Sequence, residues 1–134
     1  MSKVVHVSGK RKKAIARATL KEGSGIIKIN KILLSNYSNN LARLKIQEPL
    51  TIAEELANKV NIIVSVKGGG WQSQAEAARL AIAKALVGFS RGEKLKKAFL
   101  DYDRHLLIAD VRKNEVCKPN DSGKPRKHRQ KSYR

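Results

Sequence analysis

The first third of the chain alternates small or aliphatic residues with polar ones, as β-strands with one buried face do. The alternation is clearest over residues 14–20, where it places Arg17 on the face opposite the alanines. Shorter apolar runs predict strands at residues 4–7 and 26–29. Two glycines within residues 21–25 have the length of a hairpin loop, so we expect the second and third strands to form a hairpin.

Helical patterns follow a turn predicted at Asn30 and Lys31. Ser38 or Asn39 is expected to cap a short helix, and Pro49 is expected to end it because the residue before a proline avoids helical dihedrals. A second helix is then predicted over residues 50–57.

The central stretch combines a strand, a glycine turn and a helix. Residues 60–66 are apolar and β-branched, and three glycines follow at 68–70. Ser73 and Glu76 have the spacing of a capping box, which predicts that an alanine-rich helix begins at Ser73. The alanines indicate close packing on a sheet. Since a helical crossover precedes residue 60, we expect a parallel or mixed strand pair.

A second capping box, Ser90 and Glu93, predicts a further helix with Phe99 on its apolar side. Aliphatic residues almost disappear after Cys117, and prolines and cations replace them. Such a segment cannot bury enough surface to offset its ordering entropy. We therefore predict a globular domain over residues 1–117 and an extended basic tail over residues 118–134.

Charge narrows the possible partners. The net charge is +18, and residues 1–45 contain eleven Lys or Arg against Glu22 alone. The tail contains seven against Asp121, whereas the middle of the chain is nearly neutral. Because such an excess is best neutralised by a polyanion, the partner should be nucleic acid. No apolar run has the length of a membrane span, and no basic amphipathic helix suggests membrane binding.

The cysteine count and the N-terminal sequence favour an intracellular protein. The single Cys117 excludes an internal disulfide, and residues 1–9 lack the apolar region of a secretory signal. No two of the three histidines have metal-ligand spacing, so we expect no metal and no cofactor.

Three functions other than binding of RNA by a basic surface can be compared with the residues present. A nucleotide loop would need a Lys-Ser or Lys-Thr pair after the last glycine, whereas Trp71 and Gln72 follow Gly70. An RNA-processing nuclease would hold Mg²⁺ with three carboxylates, and the candidates are Asp101, Asp103 and Asp110. A general chromatin-type DNA binder would bind duplex DNA and structured RNA with similar affinity.

The glycine turn and the two basic ends together resemble a known family. The motif GGGWQSQAEAARLAIAKAL at residues 68–86, the basic block at residues 9–17 and the closing residues KSYR are similar to the ninth protein of the small ribosomal subunit, in its archaeal and eukaryotic form. The resemblance covers essentially the whole chain. Two positions differ from the common bacterial pattern: Lys31 stands where a glycine is frequent, and Tyr133 stands where a lysine is frequent.

The resemblance implies an α+β fold like the second domain of the fifth small-subunit protein. A four-stranded mixed sheet would have helices on one face, in two layers, with the basic tail extending away. It also implies a cytoplasmic, non-enzymatic structural constituent of the small ribosomal subunit. That constituent would lie in the head of the subunit among neighbouring head proteins, bound to small-subunit rRNA, with its tail reaching the peptidyl-site tRNA.

Candidate contacts follow from this family role and from the charge pattern. The expected rRNA-binding residues are Lys10, Arg11, Lys12, Lys13, Arg17, Lys67, Gly69, Gly70, Gln72, Lys118, Lys124, Arg126 and Lys127. The expected tRNA-binding residues are Arg129, Lys131, Tyr133 and Arg134. Arg134 matches the family's terminal arginine, which contacts the backbone of the tRNA anticodon stem.

Overall fold

A computed structural model describes residues 2–119 and 124–126. Its strands are β1 (Val4–Arg11), β2 (Ala14–Glu22), β3 (Ile27–Ile29), β4 (Ile32–Leu33) and β5 (Val60–Lys67). Its α-helices are α1 (Asn40–Ile52), α2 (Glu54–Ala57), α3 (Trp71–Ser90) and α4 (Glu93–Tyr102), and short 3₁₀ turns cover Leu34–Asn36 and Arg104–Leu106. No helix in the described part is long and apolar enough to cross a membrane.

The strands form one mixed sheet in the order β1-β2-β5-β3-β4. β2 pairs antiparallel with both β1 and β5, and β3 pairs parallel with β5. The sheet has a covered face, packed against the helices, and an open face. Ala14, Ala16, Ala18 and Leu20 are buried on the covered face, which confirms the alternation predicted for this strand.

The predicted hairpin between the second and third strands is wrong, because β5 lies between them. The loop at residues 23–26 binds β5 instead: the Gly23 and Gly25 amides donate to Lys59 and Val60 carbonyls, at 2.9 and 3.1 Å. The Asn61 side chain also accepts from the amides of Ser24 and Ile26. The glycines therefore turn the chain across a strand that arrives later in the sequence.

The sheet has five strands where four were expected, and the additional one is the two-residue β4. Asn30 and Lys31 join it to β3 with φ values of 49° and 70°, as a two-residue hairpin loop requires. Asn30 also accepts a hydrogen bond from the Val66 amide at 2.9 Å. The turn predicted here is confirmed, and its asparagine attaches β4 to the centre of the sheet.

Helix α1 begins where expected and ends later than expected. Asn39 caps it by accepting from the amides of Leu41 and Ala42. Pro49 does not end the helix, which continues to Ile52. Pro49 is fully buried, as is Ile46 on the same face, and this packing offsets the missing amide hydrogen bond. Only the single turn α2 remains of the second helix predicted at residues 50–57.

Helix α3 packs across β1 and β2 and forms most of the covered layer. Its alanines at 75, 77, 78, 81, 83 and 85 are all fully buried. Gly9 lies where β1 passes closest to the helix, because a Cβ there would be only 2.5 Å from the Ala77 carbonyl oxygen. The alanines and Gly9 thus set a short distance between helix and sheet.

Both predicted capping boxes are wrong. Helix α3 begins at Trp71 after Gly70, one turn before the position that Ser73 would cap. Ser90 ends α3, and α4 begins after Gly92. Phe99 of α4 is fully buried as expected, whereas Tyr102 is 59% exposed. The helical layer closes with Leu106, which is also fully buried.

Candidate nucleic-acid interface

The open face of the sheet presents a group of cations with no acidic neighbour. Strand alternation directs every second side chain to this face. The cations there are Lys10 of β1, Arg17 and Lys21 of β2, Lys28 of β3 and Lys67 of β5. None of the described strand residues that face this way is Asp or Glu. We call these five residues the open-face cations.

The strand register arranges these cations in rows. Lys10, Ile15 and Lys67 are partners on three adjacent strands, at the end of the sheet near the glycine turn. Arg17 occupies the next row, between Ser8 and Ser65. Neighbouring rows lie roughly 7 Å apart and neighbouring strands roughly 5 Å apart. The cations therefore cover an area instead of following one line.

A shallow groove separates two of the cations. It has a volume of about 110 Å³ and is lined by Ile15, Arg17, Ser65 and Lys67. Arg17 and Lys67 both lie on exposed positions. The groove thus offers an apolar floor, a hydroxyl group and two positive charges.

The glycine turn lies beside the turn that joins β1 and β2. Gly68 and Gly69 have φ values of 80° and 68°, which only glycine adopts readily. A Cβ on Gly68 would be 2.5 Å from the Lys13 carbonyl oxygen, so the two turns are in contact. Lys12 and Lys13 are both exposed. This contact places the basic turn and the glycine turn at the same end of the sheet.

The first turn of α3 is open to solvent. Gly70 precedes it, no side chain caps its amides, and its first turn contains no acid. Gly69, Gly70 and Gln72 are exposed, as a contact with a phosphate backbone would require. Gln74 closes the loop by donating to the Gly68 carbonyl oxygen at 3.2 Å.

Arg11 follows Lys10 in the sequence but faces the helices. Its Nε lies 2.6 Å from Glu76 Oε2, and its Nη1 lies 3.0 Å from Asp110 Oδ2. Lys45 of α1 binds the other oxygen of Glu76 at 3.0 Å. Burial acts to raise the pKa of Glu76, but the hydrogen bonds from Arg11 and Lys45 outweigh it and the pKa is lowered. Glu76 is therefore an ion-pair partner and not a capping residue.

A second ion-pair cluster surrounds Arg79 of α3. Its Nη1 and Nη2 both lie 3.1 Å from Asp103 Oδ2, and it also contacts Glu48 of α1. Burial acts to raise the pKa of Asp103, but the His105 amide and Arg79 lower it further than burial raises it. The carboxylates of Asp103 and Asp110 are thus occupied by arginines, while Asp101 is exposed in α4. Within the described residues, no three acidic, histidine or cysteine residues form a metal-binding group.

Comparison with known proteins decides the family. A family model described as ribosomal protein S9/S16 matches residues 9–134. The chain belongs to this ribosomal protein family. It is 50% identical over 133 residues to the small ribosomal subunit protein uS9 of Methanococcus vannielii, covering 98% of this chain and 99% of the relative. The uS9 proteins of two Methanococcus maripaludis strains match to the same extent.

Family membership confirms part of the predicted function. The chain is a structural protein of a ribonucleoprotein that acts in translation, and its place is the cytoplasmic ribosome. It is not an enzyme, so the nuclease hypothesis for Asp101, Asp103 and Asp110 is wrong. The ion pairs of the last two residues explain why carboxylates are grouped in this part of a basic ribosomal protein.

The structure describes only part of the predicted tail contacts. Lys118, Lys124 and Arg126 are described, and the Arg126 guanidinium binds Glu115 at 2.6 Å. Five further predicted contacts lie outside the described residues: Lys127, Arg129, Lys131, Tyr133 and Arg134. Among the described residues, the last regular element ends at Leu106, and residues 111–119 are exposed. The division at residue 117 stays a prediction.

Sequence reasoning missed two open-face cations, Lys21 and Lys28. The loop predicted at residues 21–25 includes Lys21, although Lys21 continues the alternation of β2 with Arg17. Lys28 belongs to a strand of three residues, in which it lies between Ile27 and the buried Ile29, and its pairing with Ile63 places it on the open face. The alternation of residues 14–20, extended by one residue, identifies Lys21 from sequence, whereas three residues are too few for alternation to establish the face of Lys28.

Proposed function

We propose that this ribosomal protein is a structural constituent of the small subunit, where it binds small-subunit rRNA in the head. The observation that supports this most directly is the open face, with five cations and no acid among its described strand residues. Such a surface neutralises phosphates without reading bases. The described strand residues of this face include no Phe, Tyr or Trp for base stacking.

The rRNA backbone is proposed to follow the open face to the glycine turn. Lys12 and Lys13 extend the positive surface at that end, and the exposed backbone of Gly69 and Gly70 allows close approach of a phosphate. Gly70 has no atom within 4 Å of a Cβ position, so this part of the turn is not needed for internal packing. Gln72 adds a polar side chain beside it.

Arg11 is predicted to contact rRNA, but its side chain forms ion pairs within the protein. Its side chain is only 19% exposed, and two carboxylates hold its guanidinium. Our proposal therefore assigns phosphate binding to Lys10, Lys12, Lys13, Arg17 and Lys67, and a structural role to Arg11.

Salt-dependent binding to an rRNA fragment from the head tests the open face. Replacing Arg17 by Ala removes one phosphate contact, so the slope of log K against log salt should become shallower by about 0.7 to 0.9. Lys96→Ala is the matched control, because Lys96 is an exposed cation on α4, in the other layer. Equal losses in the two variants would contradict an interface on the open face. Equal affinity for duplex DNA of the same length would favour the general nucleic-acid binder.

The tail, residues 118–134, is proposed to contact the peptidyl-site tRNA through Arg129, Lys131, Tyr133 and Arg134. An arginine suits a phosphate contact because its planar fork binds two oxygens at once. Deleting residues 133–134 should leave assembly into subunits intact and weaken tRNA retention at the peptidyl site. Retention equal to that of the full chain would count against this role. The neighbouring head proteins remain to be identified by crosslinking.

A further inference from the structure

After α4, the chain leaves the helical layer beside Arg11 and Arg79, two arginines of the folded body formed by the sheet and helices. Asp103 follows α4 as its C-cap, and its Oδ1 accepts from the His105 amide at 2.9 Å, which starts the 3₁₀ turn. Leu106 in that turn is fully buried. Beyond it, Val111 is 89% exposed and Val116 is 81% exposed, so apolar packing no longer holds the chain. Whatever fixes its direction there must be polar.

Two arginines of the body hold this segment by ion pairs. Arg79 binds Asp103 with both of its terminal nitrogens, and its side chain is 13% exposed. Arg11 binds Asp110 at 3.0 Å and also donates to the Arg112 carbonyl oxygen at 3.4 Å. Each arginine is itself fixed by a second carboxylate, Glu48 for Arg79 and Glu76 for Arg11. The positive ends of both pairs are therefore rigid parts of the body.

Asp110 makes different contacts with its two oxygens. Oδ2 binds Arg11 of the body, and Oδ1 accepts from the Arg112 amide at 2.9 Å. One side chain thus attaches the segment to β1 and turns the backbone that follows. An open cleft of about 310 Å³ lies beneath, between α1, α3 and residues 103–110, and both ion-pair clusters line it.

We propose that Asp103 and Asp110 are positioning residues that fix where, and in which direction, the basic tail leaves the body. This inference rests on the proposed tRNA contact of the tail. The tail and the basic end of the sheet have the same sign of charge, so an unattached segment is driven away from the body by repulsion. The two acids oppose that repulsion at the point of departure. A tail that begins from one fixed position reaches a distant phosphate at a higher effective concentration.

Hydrogen exchange of the full-length chain tests the attachment without tRNA. Asp110→Asn keeps an oxygen for the Arg112 amide and removes the ion pair with Arg11. We expect exchange over residues 103–112 to become about five- to tenfold faster, with exchange in β2 and α3 unchanged. Asp110→Glu, which keeps the charge, should restore most of the protection. Asp101→Asn is the control, because it removes a nearby acid that forms no ion pair within the described residues. Unchanged exchange, or an equal effect of Asp101→Asn, would overturn the proposal.

A second measurement separates positioning from general stability. The Asp110→Asn protein should bind the head rRNA fragment as the unsubstituted protein does. Small subunits reconstituted with this variant should retain peptidyl-site tRNA about three- to tenfold less well. Suppose that deletion of residues 133–134 weakens tRNA retention but Asp110→Asn does not. That result would overturn the positioning role and leave the proposed function intact. If the deletion itself has no effect, the proposed tRNA contact fails instead, and hydrogen exchange still decides the attachment.

Discussion

Gly9 is the point at which β1 and α3 approach most closely, and replacing it by Ala tests how the two layers are held. The new Cβ would lie 2.5 Å from the Ala77 carbonyl oxygen and 2.8 Å from the Ala81 amide nitrogen. Both atoms belong to the backbone of one helix, so no side-chain rotation relieves the contacts. An ordinary contact begins at 3.4 Å, and the helix must therefore move away by roughly 0.9 Å.

The energetic cost follows from that displacement. A gap of this size forfeits about a quarter to a half of the dispersion energy of the atoms that line it. Overpacking of a core usually costs about 1 to 3 kcal/mol, and the upper end applies here because both close atoms are backbone. The better strand propensity of Ala returns about 0.5 to 1 kcal/mol. We therefore expect Gly9→Ala to lower the free energy of unfolding by about 2 kcal/mol.

Urea unfolding followed by circular dichroism measures this change. With a slope of about 2 kcal/mol per M, the midpoint should fall by about 1 M. Gly70→Ala is the matched control, since Gly70 has a φ of −86° and no atom within 4 Å of its Cβ position. Its midpoint should change little, because the gain from a less flexible unfolded chain is offset by the poorer fit of Ala at the N-cap of α3. Equal midpoints for both variants would refute the idea that Gly9 sets the distance between the layers.

Two further predictions concern the positive φ of Lys31 and the ion pairs of Glu76. Lys31 has a φ of 70°, so Lys31→Gly should stabilise the protein by about 0.5 kcal/mol, and a lower melting temperature would contradict this. The pKa of Glu76 lies below its ordinary value of 4.5, so its contribution to stability is complete above pH 4.5 and is lost as the pH falls through the folded-state pKa. The free energy of unfolding should therefore fall less steeply below pH 4.5 in Glu76→Gln than in the unsubstituted protein, as urea titrations at several pH values would show.

Local patterns predicted the elements whose signals lie within one segment. The alternation of residues 14–20 gave β2 and the direction of Arg17, and the alanine spacing gave the buried stripe of α3. In β2 the alternating alanines and Leu20 are buried on one face, so a period of two is sufficient to predict that strand. Helix α3 packs on the sheet and also on α1, so its small and apolar residues are buried on more than one face.

Strand pairing was not predictable from the loop at residues 21–25. Its glycines indicate a turn but not the strand that the turn crosses, because β5 enters the sheet some 35 residues later. The amide of Asn30 donates to the Val64 carbonyl oxygen, and the carbonyl group of Ile26 accepts from Ile62 in the same way. These contacts between residues far apart in sequence fix the strand order, and no signal within the loop reports them.

The predicted start of α3 failed for a related reason. The glycines at 68 and 69 take positive φ values, and this turn lets α3 begin at Trp71. Glu76, which a capping box would direct to the backbone, is instead drawn to Arg11 and Lys45. Ion pairs between distant segments therefore override a local capping pattern.

The separation of charges between the two faces depends on strand register. Lys10 and Arg11 are adjacent in sequence, yet Lys10 lies on the open face and Arg11 binds two carboxylates among the helices. A shift of β1 by one residue would exchange them. Counting charges along the chain cannot separate these two roles. The open face stays free of acids because Glu76 and Asp110, the partners of the half-buried Arg11, are supplied by the helical layer and the segment after it.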